Sequence, residues 1–186
     1  PIGNELIKQT VAMARQTMEL GYSSLVFNIN LSALQLLDDS TYKTLDQAIA
    51  LHSVPREMIC IEITEQSYLV EEQRTLECLS RLRESGIKVA LDDFGSGYSS
   101  ISYLQTLPLD LVKFDRTFLL NLSLQGQPEE MLRACQSLAS ACNLGSVVEG
   151  VETLEQQKIL DDIGFDFYQG YFYSRPLPNQ DFIAYL

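Results

Sequence analysis

Nearly every β-like run in this chain ends in a strongly polar residue, and no other feature constrains the fold as much. The runs are LVFNINLS (25–32), MICIEITE (58–65), KVALDD (88–93), LDLVKFD (109–115), SVVEG (146–150) and a sixth within FDFYQGYFYS (165–174). Their polar residues are Asn30, Glu62, Asp92 with Asp93, Lys113, Glu149 and Gln169. Helical periodicity fills the gaps, over 6–20, 41–51, 70–85, 128–142 and 153–162, with a terminal turn at 181–186. Strands alternating with helices imply βα units and a parallel sheet. An open doubly wound sheet would spread such residues along a line. A (β/α)₈ barrel gathers the C-terminal ends of its strands at one mouth, where active sites lie. Neither GxGxxG after a strand nor a Walker A motif is present. The pattern therefore favours an α/β chain of the (β/α)₈ TIM-barrel class. Singly, each residue has a plainer reading: Asn30 caps a helix, Glu62 and Glu65 favour a helix dipole, Lys113 snorkels. Six strand ends together point to a site.

The run KVALDDFGSGYSS (88–100) sharpens the point. Two adjacent acids at the end of an apolar strand repel each other and are partly desolvated, so a compensating cation is expected. Oxygen ligands without Cys or His suit the hard cations Mg²⁺ or Mn²⁺. Several carboxylates at one mouth can hold two metals about 4 Å apart, a spacing suited to in-line attack on a phosphodiester. Cations beside Lys113 would disfavour its protonated form, leaving it to take a proton from, or orient, the attacking water. This is the chemistry of metal-dependent phosphoester hydrolysis. Asp93-Phe94-Gly95 also spells the kinase DFG, but no HRD loop, glycine-rich loop or matching lysine strand accompanies it.

Composition limits the partners. The 186 residues suit one domain, and 46% apolar content supports a core. A net charge of −12 opposes binding to a nucleic-acid polymer but not to a small nucleotide held through a metal. The cysteines (Cys60, Cys78, Cys135, Cys142) lack CxxC spacing and read as reduced core thiols, and His52 is the only histidine, which disfavours zinc. No apolar run is long enough for a membrane span and no signal-peptide pattern is present, so a cytoplasmic domain is expected, on a parent that could itself be membrane-anchored.

Taken in order, Asn30-Leu31-Ser32, Glu62-Ile63-Thr64-Glu65, Asp92-Asp93-Phe94-Gly95-Ser96-Gly97-Tyr98, Lys113-Phe114-Asp115-Arg116, Glu149-Gly150-Val151-Glu152-Thr153 and Gln169-Gly170-Tyr171 with Arg175-Pro176-Leu177 resemble the EAL family of cyclic di-GMP phosphodiesterases. The likeness runs over essentially the whole chain. It implies a modified TIM barrel that hydrolyses one phosphodiester of cyclic di-GMP to the linear dinucleotide pGpG in bacterial signalling, using two Mg²⁺ or Mn²⁺ ions. It implies metal ligation by Asn30, Glu62, Asp92, Asp93 and Glu149, with Asp92 bridging. It places Lys113 at the attacking water and Glu65 on the loop after DDFG, coupled to a dimer interface. Asp115 would support the water network, and Glu152 and Gln169 would contact substrate, Glu152 at guanine. Homodimers, and sensory or GGDEF-type domains on a longer parent, are further implied partners. The rival readings are an EAL-like receptor that binds without cutting and a protein-interaction domain.

The family's Glu-Ala-Leu tripeptide, whose glutamate ligates a metal, does not occur in this sequence, and six strands are counted where a barrel needs eight. Val148 stands where the family usually has Ala, a packing change. The expectation is a single EAL-like domain over residues 1–186, incomplete at its N-terminus, with weak hydrolysis at most. Missing strands expose sheet edges. The chain should therefore oligomerise or fold poorly; a stable monomer in sedimentation with a cooperative melt would contradict this.

Overall fold

A strand that is apolar without alternation is one covered on both faces. The run ICIEIT behaves so: in β2 (Ile59–Thr64) every residue but the last is buried. The computed structural model of the protein describes residues 2–68, 71–96, 101–120 and 127–186. It divides into two units, Pro1–Ala90 with Asn179–Leu186, and Leu91–Pro178.

In the first unit, α1 (Ile2–Glu19) buries Ile7, Val11 and Ala14 along one stripe. β1 (Phe27–Asn30) runs parallel to β2, with Asn30 opposite Glu62. Between them lie α2 (Ala33–Leu36) and α3 (Asp39–His52), and α1 packs on α3. After β2 come α4 (Glu65–Tyr68), α5 (Glu72–Glu84) and the start of β3 (Lys88–Phe94). The strand order in this unit is β1-β2-β3.

The second unit takes the rest of β3, then α6 (Ile101–Thr106), β4 (Leu111–Phe114), α7 (Thr117–Leu120), α8 (Gln127–Ala141), β5 (Gly145–Glu149), α9 (Leu154–Ile163) and β6 (Phe167–Gln169). Its strand order is β3-β4-β5-β6. β4, β5 and β6 are parallel, with Phe114 opposite Val148 and Glu149 opposite Gln169. The α10 helix (Asn179–Tyr185) belongs to the first unit, where Phe182 meets Phe27 edge-on at 6.3 Å and the Tyr22 hydroxyl donates to the Leu186 carbonyl.

The six expected strands are all present among the described residues, and the long helices match within a few residues. The helix expected over 41–51 is α3, and the short α2 lies before it: Ser32 caps α2 in a capping box with Gln35, and Asp38 caps α3 by accepting from Ser40 N at 2.8 Å. One reading needed correction. The GQP at 126–128 is not simply a loop, since Gln127 and Pro128 open α8, where a proline has no N–H to lose. The short α2, α4, α6 and α7 left no periodic signal, because four to six residues span under two turns. Val148 is fully buried, in keeping with a packing change. No disulfide joins the cysteines, and burial pushes the Cys135 thiol up to about 11. Among the described residues no helix is long and apolar enough to cross a membrane.

Phe114 anchors the second unit's core. It is fully buried and meets Phe94, Phe118 and Phe165 edge-on at 5.7, 6.0 and 5.8 Å. Phe114→Ala should cost about 3–5 kcal/mol by denaturant unfolding, through a cavity that three rings cannot fill.

Candidate metal centre

Successive side chains on a strand point to opposite faces. Asp92 and Asp93 are adjacent on β3, so regular geometry would separate their carboxylates. Asp93 has φ of 56°, left-handed and uncommon outside glycine, which takes it out of strict alternation. Gly95 follows at φ 93°, where a Cβ would lie 2.2 Å from the Phe118 ring. The backbone thus turns tightly just past the acids. One oxygen each from Asp92, Asp93 and Glu149, at the end of β5, lies within 4.8 Å of the others.

Lys113, on β4, supplies the counter-charge. Its Nζ lies 2.8 Å from Asp92 Oδ1 and 2.6 Å from Glu149 Oε1, and its side chain is 4% exposed. The contact with Asp92 is close enough for charge pairing but is not aligned as a hydrogen bond, for Asp92 Oδ1 is buried and lacks a donor among the described residues. Three carboxylates and one ammonium leave two uncompensated negative charges, the charge of one divalent cation. The orphaned oxygen, the oxygen-only donors and that charge all fit a hard cation. Partial desolvation pushes the Asp93 carboxyl up from its ordinary value, and the charges of Asp92 and Asp115 push it the same way against Lys113.

Asp115, Glu152 and Gln169 line a cavity of about 440 Å³ together with Asp93 and Glu149. Asp115 also accepts from Thr117 N at 2.9 Å, so it caps the turn into α7 as well. In the first unit, Asn30 and Glu62 line a separate cavity of about 490 Å³ with Thr64 and Ser67. Glu62 is 3% exposed and accepts from Asn28 Nδ2 at 2.7 Å. Asn28 carried no role in the sequence reading. Its place two residues before Asn30, on the same strand face, was the available signal. Glu65 opens α4 and does not line that cavity. The loop it was expected to hold includes 97–100, outside the described residues.

The EAL domain family model matches residues 1–176. The chain belongs to the EAL domain family. Among similar proteins is the cyclic di-GMP phosphodiesterase RocR of Pseudomonas aeruginosa, 35% identical over 97% of this chain and 46% of its own length. The probable cyclic di-GMP phosphodiesterase PdeN of Escherichia coli is 34% identical over 98% of this chain and 34% of its length. The chain spans less than half the length of these curated relatives, 46% of RocR and 34% of PdeN. Among solved EAL structures, the EAL domain of Mycobacterium smegmatis DcpA superposes with a TM-score of 0.91 at 31% identity, covering 99% of this chain and 83% of that one. The MucR phosphodiesterase of Pseudomonas aeruginosa, in complex with c-di-GMP, gives 0.89 at 31% identity, covering 97% and 73%. The fold is therefore the EAL-type TIM barrel, six of whose strands lie among the described residues.

The direction of the Asp93 shift has a consequence for stability. A carboxyl whose pKa is raised by folding favours the folded state below the ordinary carboxylate range, and this is lost as pH rises through the folded value. At neutral pH the Asp93 charge should cost stability, screened to less than about 1 kcal/mol at this exposed position. In chelator, Asp93→Asn should raise the melting temperature at pH 7 by about 2 °C, and the gain should vanish below about pH 4. In Mg²⁺ the wild-type protein should gain more than the variant.

Proposed function

We propose that this chain is a metal-dependent phosphodiesterase domain that hydrolyses cyclic di-GMP to linear pGpG. The observation that carries the reading is the convergence of Asp92, Asp93 and Glu149 around Lys113 in an EAL-family chain. Relatives named as cyclic di-GMP phosphodiesterases support it. In this reading Asn30, Glu62, Asp92, Asp93 and Glu149 would hold two Mg²⁺ or Mn²⁺ ions. Bound cations would make water a better nucleophile and offset charge on the phosphoryl oxygens.

The protein's own groups do the positioning. Lys113 Nζ is pinned between Asp92 and Glu149 and orients the attacking water. Asn28 fixes the rotamer of Glu62 by its hydrogen bond. Water adds to phosphorus as the P–O3′ bond breaks, the 3′-oxygen takes up a proton, and a 5′-phosphate remains. Asp115 supports the water network, while Glu152 and Gln169 line the cavity for the nucleoside, Glu152 towards guanine. Glu65 links the loop after DDFG to a dimer contact. The domain would act in the cytoplasm as a homodimer or other oligomer, under sensory or GGDEF-type domains of a longer protein.

A second reading is a receptor that binds cyclic di-GMP without cutting it. The observation in its favour is that the sequence has no Glu-Ala-Leu, so a chain short of one ligand would retain binding and lose turnover. Calorimetry with cyclic di-GMP in Ca²⁺, followed by chromatography of products in Mg²⁺, separates the two. Hydrolysis to pGpG is expected, with Asp92→Asn and Glu149→Gln each slowing it at least about 100-fold. Binding without product selects the receptor. Neither binding nor product leaves the protein-interaction domain, and wild-type turnover by Asp92→Asn overturns the metal assignment.

A further inference from the structure

The 440 Å³ cavity of the second unit is walled by four acids, yet it admits one cation. Asp93, Asp115, Glu149 and Glu152 line it, and among the described residues its one positively charged lining side chain is Arg116. The neighbouring cation, Lys113, is already engaged by two carboxylates. Arg116 is not: it is exposed, and among the described residues its guanidinium makes no ion pair or hydrogen bond despite four acids around the same space. An arginine that merely balanced those acids would lie against one of them.

A second, independent feature holds Arg116 in place. Gly150 has φ of 78°, and a Cβ built on it would lie 2.3 Å from Arg116 Cβ and 3.3 Å from its Cα. The glycine between Glu149 and the Val151-Glu152 turn therefore makes room for the backbone of Arg116. The turn after β5 and the residue after Asp115 are built against each other.

We propose that Arg116 binds a phosphate oxygen of the dinucleotide, and that Gly150 sets its position. The inference rests on the phosphodiesterase reading, since it takes the ligand to be cyclic di-GMP. A planar guanidinium donates two parallel N–H bonds to a phosphate, and such charge-assisted bonds are the strong ones. A doubly negative ligand entering a cavity of four acids meets repulsion that the metal ligands relieve only once loaded. Arg116 offers attraction that is present throughout. It acts in binding and leaves the reacting water to other groups.

The test is calorimetric titration of cyclic di-GMP in Ca²⁺ at low salt and at 0.5 M salt, on the wild type, Arg116→Ala, Arg116→Gln, Arg116→Lys and Gly150→Ala. Loss of one charge-assisted pair predicts Kd raised about ten- to hundred-fold in the Ala and Gln variants, and partly restored in Lys. The difference from wild type should shrink at high salt, because exposed charges are screened. Gly150→Ala should weaken binding in the same direction. Arg116→Gln keeps the length of the chain without its charge, so it decides the matter if the Ala variant folds poorly. Equal Kd for Arg116→Gln and wild type overturns the assignment and leaves the phosphodiesterase reading standing. A weakened Kd whose ratio to wild type ignores salt assigns Arg116 a packing role and overturns it too. Failure of the wild type to bind cyclic di-GMP overturns both.

Discussion

Repulsion among like charges is the constraint on which the second unit turns. Three carboxylates brought within 4.8 Å of one another are unfavourable unless something positive stands among them. Lys113 is that group in the protein itself. Its burial carries a desolvation cost of several kcal/mol, and only close pairing with both acids offsets it. Removing it would leave Asp92 and Glu149 without their shared cation, a change that costs about 3–5 kcal/mol in comparable sites. Lysine and acids therefore stabilise each other, and the two negative charges left over suit the group to holding a cation.

Holding that group together requires a stiff frame. β4 and β5 are in register, so Lys113 and Glu149 leave neighbouring parallel strands near their C-terminal ends. The Phe114 ring cluster, one residue past Lys113, fixes the strand that carries it. Local backbone strain does the rest. The left-handed Asp93 costs on the order of 1–3 kcal/mol and persists because its surroundings over-determine it. Such strain has no packing benefit at an exposed aspartate, and it serves to bring two adjacent side chains to one place.

Much of this was legible in the sequence, for reasons that differ from residue to residue. Strand ends were readable because burial writes long apolar runs, and a polar residue at the end of each stands out against them. That is why Asn30, Glu62, Asp92, Lys113, Glu149 and Gln169 stand out near strand ends in the sequence alone. The coming together of Asp92 and Asp93 was expected from the adjacent acids, but its means was not readable, since it depends on one dihedral angle and alternation argues against it. Asn28 went unread because a single amide on an exposed strand face has many explanations, and only its 2.7 Å contact with Glu62 chooses among them. Arg116 is a similar case: its residue type suits a dozen surface roles. Its lack of a partner among the described residues, in an acid-lined cavity, is a fact of three-dimensional placement.

Under the proposed function a chain of net charge −12 would take a dianionic nucleotide, an electrostatic contradiction whose resolution would tie metal and ligand together. In the metal-free protein, acids facing the cavity repel phosphate, and Arg116 offsets only part of this. Cations held by Asp92, Asp93 and Glu149, as proposed, would reverse the sign of the local field. Affinity for such a nucleotide would then rise with metal occupancy, and by thermodynamic reciprocity the nucleotide would tighten the metals by the same factor. The coupling needs no conformational change. It follows from placing the phosphate-facing wall and the metal-facing wall on the same few carboxylates, so that each ligand neutralises the charge that opposes the other.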